Sequence, residues 1–195
     1  MRSLDEPIRK RKLLRAIGFD DAPFVKASSD PVNLSGIVCS GTRFEGMLWG
    51  AVEQDGLDAT EVIGKMILES KFHEQLNLVL IDGITVAGFN FVDIQTLAET
   101  IQIPCVAVMR HLPDMPAFYK AMERVDRQEE RKQIIKRAGE IHSIGGFHFQ
   151  AAACEPDQVA VALNRMTDKG AVPEPLRLAH LIGAAVKFGE STKRA

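Results

Sequence analysis

Asp20, Asp55 and Asp82 each stand where an apolar run stops, in IGFD, VEQD and LIDG. In an α/β sheet the carboxyl ends of strands face an open crevice, so side chains there are placed to do chemistry. Carboxylates brought together from separate strands repel one another, and a cation among them removes that cost. Hard oxygen donors of this kind suit Mg²⁺ or Mn²⁺, which activate water and stabilise in-line displacement at phosphorus. Asp followed by Gly at a strand end, as at Asp55 and Asp82, is also ordinary turn chemistry. Asp20 has a second acid, Asp21, directly after it, so that one can cap or turn the chain while the other points into a site. Spacing alone leaves the metal-site and turn readings open.

Other residues could assist such a site. Residues 87–90, AGFN, form a glycine-containing loop just after Asp82-Gly83 and before a predicted helix. Backbone amides in that setting can face a phosphate or a flipped base. Gly83, Gly88, Asn90 and Asp21 are therefore expected at the substrate, with Asn90 reading a base edge. Arg110 follows an apolar strand and can meet a phosphate or simply neutralise Asp114. His180 lies on a predicted helix face, where a partly buried histidine with a backbone partner is the plain reading. His73, His111, His142 and His148 show no metal-ligand spacing. Cys39, Cys105 and Cys154 lie in apolar runs without CxxC spacing and read as small core residues of a reducing compartment.

The elements that must position these groups follow from periodicity. RKLLRAIGFDDAPF reads as a strand, and PVNLSGIVCSG and FEGMLWGAVEQDG as two more joined by the short turn Ser40-Gly41-Thr42-Arg43, hence antiparallel. LDATEVIGKMILESKF has a helical period, with Asp58 or Thr60 as cap. NLVLIDG and IPCVAVMR are continuous apolar runs joined through the helix-compatible FNFVDIQTLAET, the pattern of parallel strands covered on both faces. DMPAFYKAMERV and RQEERKQIIKRAG read as helices, HSIGGFHFQAAAC as a strand with a Gly-Gly break, and EPDQVAVALNRMT and VPEPLRLAHLIGAAVKFG as the last helices.

The 195 residues are 46% hydrophobic and suffice for one core, so residues 1–195 are expected to form one domain. Net charge is −2, which excludes nucleic-acid binding by bulk positive charge. A local patch would have to come from Arg9, Lys10, Arg11 and Lys12, or from Lys132, Lys136 and Arg137. No apolar stretch approaches a membrane span, and MRSLDEPIRKRKLLR is unlike a signal peptide, so a cytoplasmic protein is expected.

The phrases IGFDDAPF, DGLDATEVI, LIDGITVAGFNFVDI and IPCVAVMRHLPD resemble the endonuclease V superfamily, and more closely its sister group called deoxyuridine endonuclease. The resemblance implies a ribonuclease H-like, three-layer α/β/α fold with a mixed sheet, antiparallel over its first three strands and parallel later. That family carries Gly-x-Asp on its first strand, matched by Gly18-Phe19-Asp20, and Asp-Gly on its central strand, matched by Asp82-Gly83. PCVAVMR has Arg110 where the family has lysine, and PEPLRLAH matches a C-terminal family phrase with His180 last. Asp20 and Asp82 are then implied as metal ligands, Arg110 as a cation near the scissile phosphate, and His180 as a member of the metal site.

Departures from the family pattern matter as much. The family has a glutamate at the end of its third strand. Here the choice is among Glu53, Asp55 and Asp58, of which Asp58 is taken as the third acidic ligand with Asp55 close behind. The family's Tyr-Ile-Pro-Gly wedge is missing, and TRFEGMLW offers Arg43, Phe44 and Trp49 instead. The expectation is an Mg²⁺- or Mn²⁺-dependent endonuclease on nucleic acid, DNA rather than RNA, acting at uracil or hypoxanthine. The alternative is a non-catalytic nucleic-acid or nucleotide binder on the same scaffold.

Overall fold

The computed structural model describes residues 1–26 and 29–192. A seven-stranded sheet is built from β1 (Arg15–Asp21), β2 (Val32–Ser40), β3 (Arg43–Val52), β4 (Leu78–Asp82), β7 (Cys105–Met109), β8 (His142–Ile144) and β9 (Phe147–Ala152). Its order is β3-β2-β1-β4-β7-β9-β8. The short strands β5 (Thr85–Val86) and β6 (Asn90–Phe91) pair separately.

Alternation along the strands sorts the layers. Ile17, Phe19, Val79 and Ile81 face α2 (Ala59–Leu68) and α3 (Ile94–Ile101), in a core with Ile63, Ile67, Leu97 and Ile101. Ala16, Leu78, Leu80, Val106 and Val108 face the other way, toward α1 (Asp5–Arg9), α6 (Pro156–Arg165) and α7 (Glu174–Phe188). A third packing unit sits at the carboxyl end of the sheet. There α4 (Met115–Met122), α5 (Gln128–Arg137) and the β5–β6 hairpin share a core of Phe91, Met122 and Ile134.

The antiparallel β1–β2–β3 meander matches expectation, and parallel pairing joins β1 to β4 and β4 to β7. Beyond β7 the sheet turns antiparallel again: β9 runs against β7, and the Gly-Gly break is a hairpin turn, where Gly145 and Gly146 both take positive φ and β8 folds back on β9. The first strand is shorter than its apolar run, since residues before Arg15 form α1 and a turn. FNFVDIQTLAET is helical only from Ile94; Asp93 accepts from the Thr96 amide and caps α3.

The register between β1 and α7 sets up the site. A Cβ on Gly18 would lie 2.7 Å from the carbonyl carbon of Pro175, so only glycine lets α7 rest directly on β1. Two residues on, Asp20 is about 6.6 Å further along the strand, and His180 is about 6 Å further along the helix from Leu176. The two therefore stay in step, and the bare backbone at Gly18 brings the imidazole over the carboxylate.

Candidate active site

Phe19 pairs with Ile81 across the parallel β1–β4 ladder, so Asp20 and Asp82 follow side by side at the ends of adjacent strands. Both belong to the face covered by α6 and α7, and parallel neighbours are about 4.8 Å apart. Asp20 is 8% exposed. Its Oδ1 accepts from the Asp21 amide at 2.8 Å, and its Oδ2 lies 2.9 Å from His180 Nδ1. Asp82 Oδ2 accepts from Arg110 Nη2 at 2.8 Å. Asp82 pairs with Val108 on β7, and Arg110, two residues further, lies on the same side. The sequence thus named four groups that the fold gathers: Asp20, Asp82, His180 and Arg110.

The charges act on one another as proximity requires. Burial raises the Asp82 carboxyl above its ordinary value and the charge of Asp20 raises it further, while Arg110 opposes both. Burial, then Asp20, pushes Asp21 up to about 6, against the hydrogen bond from the Ala87 amide. His180 is raised, first by its hydrogen bond to Asp20, against partial burial. Three acids with two basic neighbours form an electrostatically strained cluster that a cation would relieve.

The other predicted acids lie elsewhere. Asp58 precedes α2, and its carboxylate accepts from the Glu53 amide at 3.3 Å and from Asn90 Nδ2. Asp55 Oδ1 accepts from the Phe89 amide at 2.8 Å. Glu53 is exposed at the end of β3. Asp58, expected to complete an acidic triad with Asp20 and Asp82, accepts from the Glu53 amide and the Asn90 side-chain amide and hydrogen-bonds to neither acid's partners. Asn90, expected to read a base edge, is turned into the fold. It is 0% exposed, accepts from the Ala59 amide at 3.0 Å and donates to the Glu53 carbonyl at 2.9 Å, so its amide pins the start of α2.

Gly83, directly after Asp82, has φ +81°, and nothing would obstruct a Cβ there, so the space above it is open. It borders a largely apolar cavity of about 170 Å³, whose walls include Met109, Met115, Phe118, Ile135 and Gln150. Gly88 does not border this cavity; a Cβ there would collide with Asp55 Oδ1. Of the proposed basic patches, Arg9 to Lys12 precede β1 at the end remote from Asp20. Lys132 pairs with Glu129 and Arg137 with Asp93. Phe44 and Trp49 are exposed on the edge strand β3, and Trp49 shares a cross-strand row with Ser35 and Asp20.

Sequence reasoning missed Arg131, which is 1% exposed although it lies in the highly charged helix α5. Its guanidinium donates to the carbonyls of Asp55, Gly56 and Phe89. A signal existed: Arg131 lies three and four residues before Ile134 and Ile135, on the apolar face of α5.

Among the described residues no group of three or more His, Cys, Asp or Glu side chains is placed to hold a metal ion by protein ligands alone. The donor set at Asp20 and Asp82 suits Mg²⁺ in its usual mode, one or two carboxylates with water and substrate phosphate filling the remaining positions. The residues fit the ion on that basis.

The endonuclease dU family model matches residues 12–187. The chain belongs to the endonuclease dU family. A UPF0215 protein of Archaeoglobus fulgidus is 41% identical over 160 residues, covering 82% of this chain and 88% of its own. The crystal structure of a protein of unknown function from the same organism superposes with a TM-score of 0.83 at 39% identity, covering 89% of this chain and 98% of that one. Endonuclease V of Ciona intestinalis, in complex with a 24mer DNA containing an inosine followed by a ribo-adenosine, aligns with a TM-score of 0.57 at 17% identity, covering 87% and 84% of the two chains. That likeness establishes a shared, ribonuclease H-like fold. No described helix of this family member is long and apolar enough to cross a membrane.

Proposed function

We propose that the chain is a single-domain, metal-dependent endonuclease that cleaves a phosphodiester bond in nucleic acid, DNA in preference to RNA, at or near a deaminated base such as uracil or hypoxanthine. The observation that carries the reading is the side-by-side placement of Asp20 and Asp82 on paired strand ends, with His180 on one and Arg110 on the other. Membership of the endonuclease dU family supports it.

Asp20 and Asp82 would hold Mg²⁺ or Mn²⁺, which when bound supplies an activated water and neutralises charge developing on the phosphate. Asp20 orients His180 through Nδ1 and favours its protonated form, leaving Nε2 to hold or deliver a proton at an oxygen of the scissile phosphate. Arg110 is anchored at one nitrogen by Asp82, and its remaining N–H groups can donate to phosphate oxygens in the planar geometry that guanidinium provides. The cavity beside Gly83, on the other side of the same strand ends, has room for a flat apolar ring such as an unstacked base.

The test is incubation of labelled oligonucleotides carrying uracil, hypoxanthine, a mismatch or no lesion with the protein and Mg²⁺ or Mn²⁺. Metal-dependent cutting of a lesion-bearing strand is expected. Binding without cutting on every substrate would replace the enzyme with a nucleic-acid-binding protein on the same fold.

A further inference from the structure

Segment 83–89, between the end of β4 and β6, is held by charged side chains from three separate elements. From β1, Asp21 Oδ2 accepts from the Ala87 amide. From the loop after β3, Asp55 Oδ1 accepts from the Phe89 amide at 2.8 Å, and the Asp55 amide donates to the Ala87 carbonyl at 2.9 Å. From α5, the buried Arg131 donates to the Phe89 carbonyl and also to the Asp55 and Gly56 carbonyls, tying the two loops together. Asp55, Ala87 and Gly88 all have positive φ, at +53°, +49° and +90°, a region that residues with a Cβ enter only when their surroundings hold them there.

The held segment is the wall of the site. It starts at Gly83, next to Asp82, and Gly83, Ile84 and Thr85 line the apolar cavity. Asp21 also links it to the other catalytic strand: its amide donates to Asp20 Oδ1 while its carboxylate grips Ala87. A shift of the loop would be felt at Asp20 through one residue.

We infer that Asp21, Asp55 and Arg131 are positioning residues that clamp segment 83–89 as the substrate-facing wall beside Asp82, and that Asp55 serves this clamp and not a metal ion. The inference deepens the nuclease reading and rests on it for the identity of the substrate. Asparagine at position 55 keeps an oxygen that can accept from the Phe89 amide but lacks the charge a cation requires; alanine keeps neither. Geometry and ligation therefore separate at this one position.

The experiment compares the parent with Asp55→Asn, Asp55→Ala and Gly88→Ala. It records amide hydrogen exchange at Ala87 and Phe89, the Mn²⁺ concentration giving half the maximal thermal shift, and KM and kcat on a cleavable oligonucleotide. In Asp55→Ala the Phe89 amide should exchange about tenfold faster or more, while Asp55→Asn stays within about threefold of the parent. KM should rise at least about fivefold in Asp55→Ala with a smaller change in kcat, and Asp55→Asn should restore it. Gly88→Ala, whose Cβ runs into Asp55 Oδ1, should reproduce the alanine result. The Mn²⁺ midpoint should be the same in the parent and both Asp55 variants. A midpoint raised about tenfold in Asp55→Asn would overturn the inference by making Asp55 a ligand. Parental exchange in Asp55→Ala, or parental KM despite faster exchange, would overturn it too. If the parent cuts no oligonucleotide the nuclease reading fails, and the exchange and Mn²⁺ measurements still decide the clamp.

Discussion

At the ends of β1 and β4, Asp20 and Asp82 meet on one face of the sheet with an imidazole and a guanidinium beside them. In the loop between β3 and α2, Asp55 and Asp58 meet a different supply of partners: the amides of Phe89 and Glu53 and the side-chain amide of Asn90. The residue type is the same, and both pairs follow strands. What differs is the donor supply. Where fixed amides reach a carboxylate, they satisfy part of its acceptor capacity within the fold. At the strand ends a single amide, that of Asp21, reaches Asp20, the other partners are the mobile-ended side chains of His180 and Arg110, and burial with the charge of Asp20 raises Asp82, which is the setting a cation would join.

The comparison breaks most sharply in activity. Asp82→Asn should lower cleavage by on the order of a thousandfold or more, because the neutral amide no longer offers an anionic oxygen donor. Asp58→Asn, which retains an acceptor for its amide partners, should stay within about threefold of the parent. Equal losses in steady-state cleavage assays would erase the distinction between the two pairs.

A smaller effect lies in stability against pH. The Asp21 carboxyl is raised from 3.8 to about 6 in the folded protein, so the unfolded chain releases this proton at lower pH than the folded one. Stability is therefore lost as pH climbs through that window and regained in acid. Asp21→Asn keeps an acceptor for Ala87 and removes the repelling charge. Without metal, it should stabilise the protein by up to about 3 kcal/mol at neutral pH, with the gain fading toward pH 4. His180, also raised, contributes stability at low pH that is lost as pH rises through its folded value. A thermal melt series in pH, with chelator present, reads both trends; a gain for Asp21→Asn that grows toward acid would contradict the assignment.

The smallest effect is expected in the satisfied pair. Asp58→Ala strips partners from Asn90 Nδ2 and the Glu53 amide at the start of α2, and should cost about 1–2 kcal/mol in denaturant unfolding. An unchanged unfolding midpoint would show that this carboxylate does not brace the loop.

The strand ends were readable because continuous apolar runs stop where the sheet stops, so Asp20 and Asp82 could be located from LIDG and IGFD. Their coming together depends on the parallel β1–β4 ladder, whereas the runs implied parallel pairing only between NLVLIDG and IPCVAVMR. The fate of Asp58 was not readable. Its decisive partner, Asn90, is 32 residues away in sequence, and spacing does not say which amide reaches which carboxylate. The β5–β6 hairpin escaped for another reason: its strands are two residues long, too short to show a period. Arg131 hid among neighbouring charges, since a helix of mixed Glu, Lys and Arg reads as solvated unless the Ile134–Ile135 face is followed back one turn.

The most direct test of the central claim is the anomalous diffraction signal from crystals soaked in Mn²⁺ with an uncleavable oligonucleotide. The account predicts a single strong peak between the carboxylates of Asp20 and Asp82, within ligand distance of both. A peak held by Asp55 or Asp58, or none at Asp20 and Asp82 with the oligonucleotide bound, would contradict it.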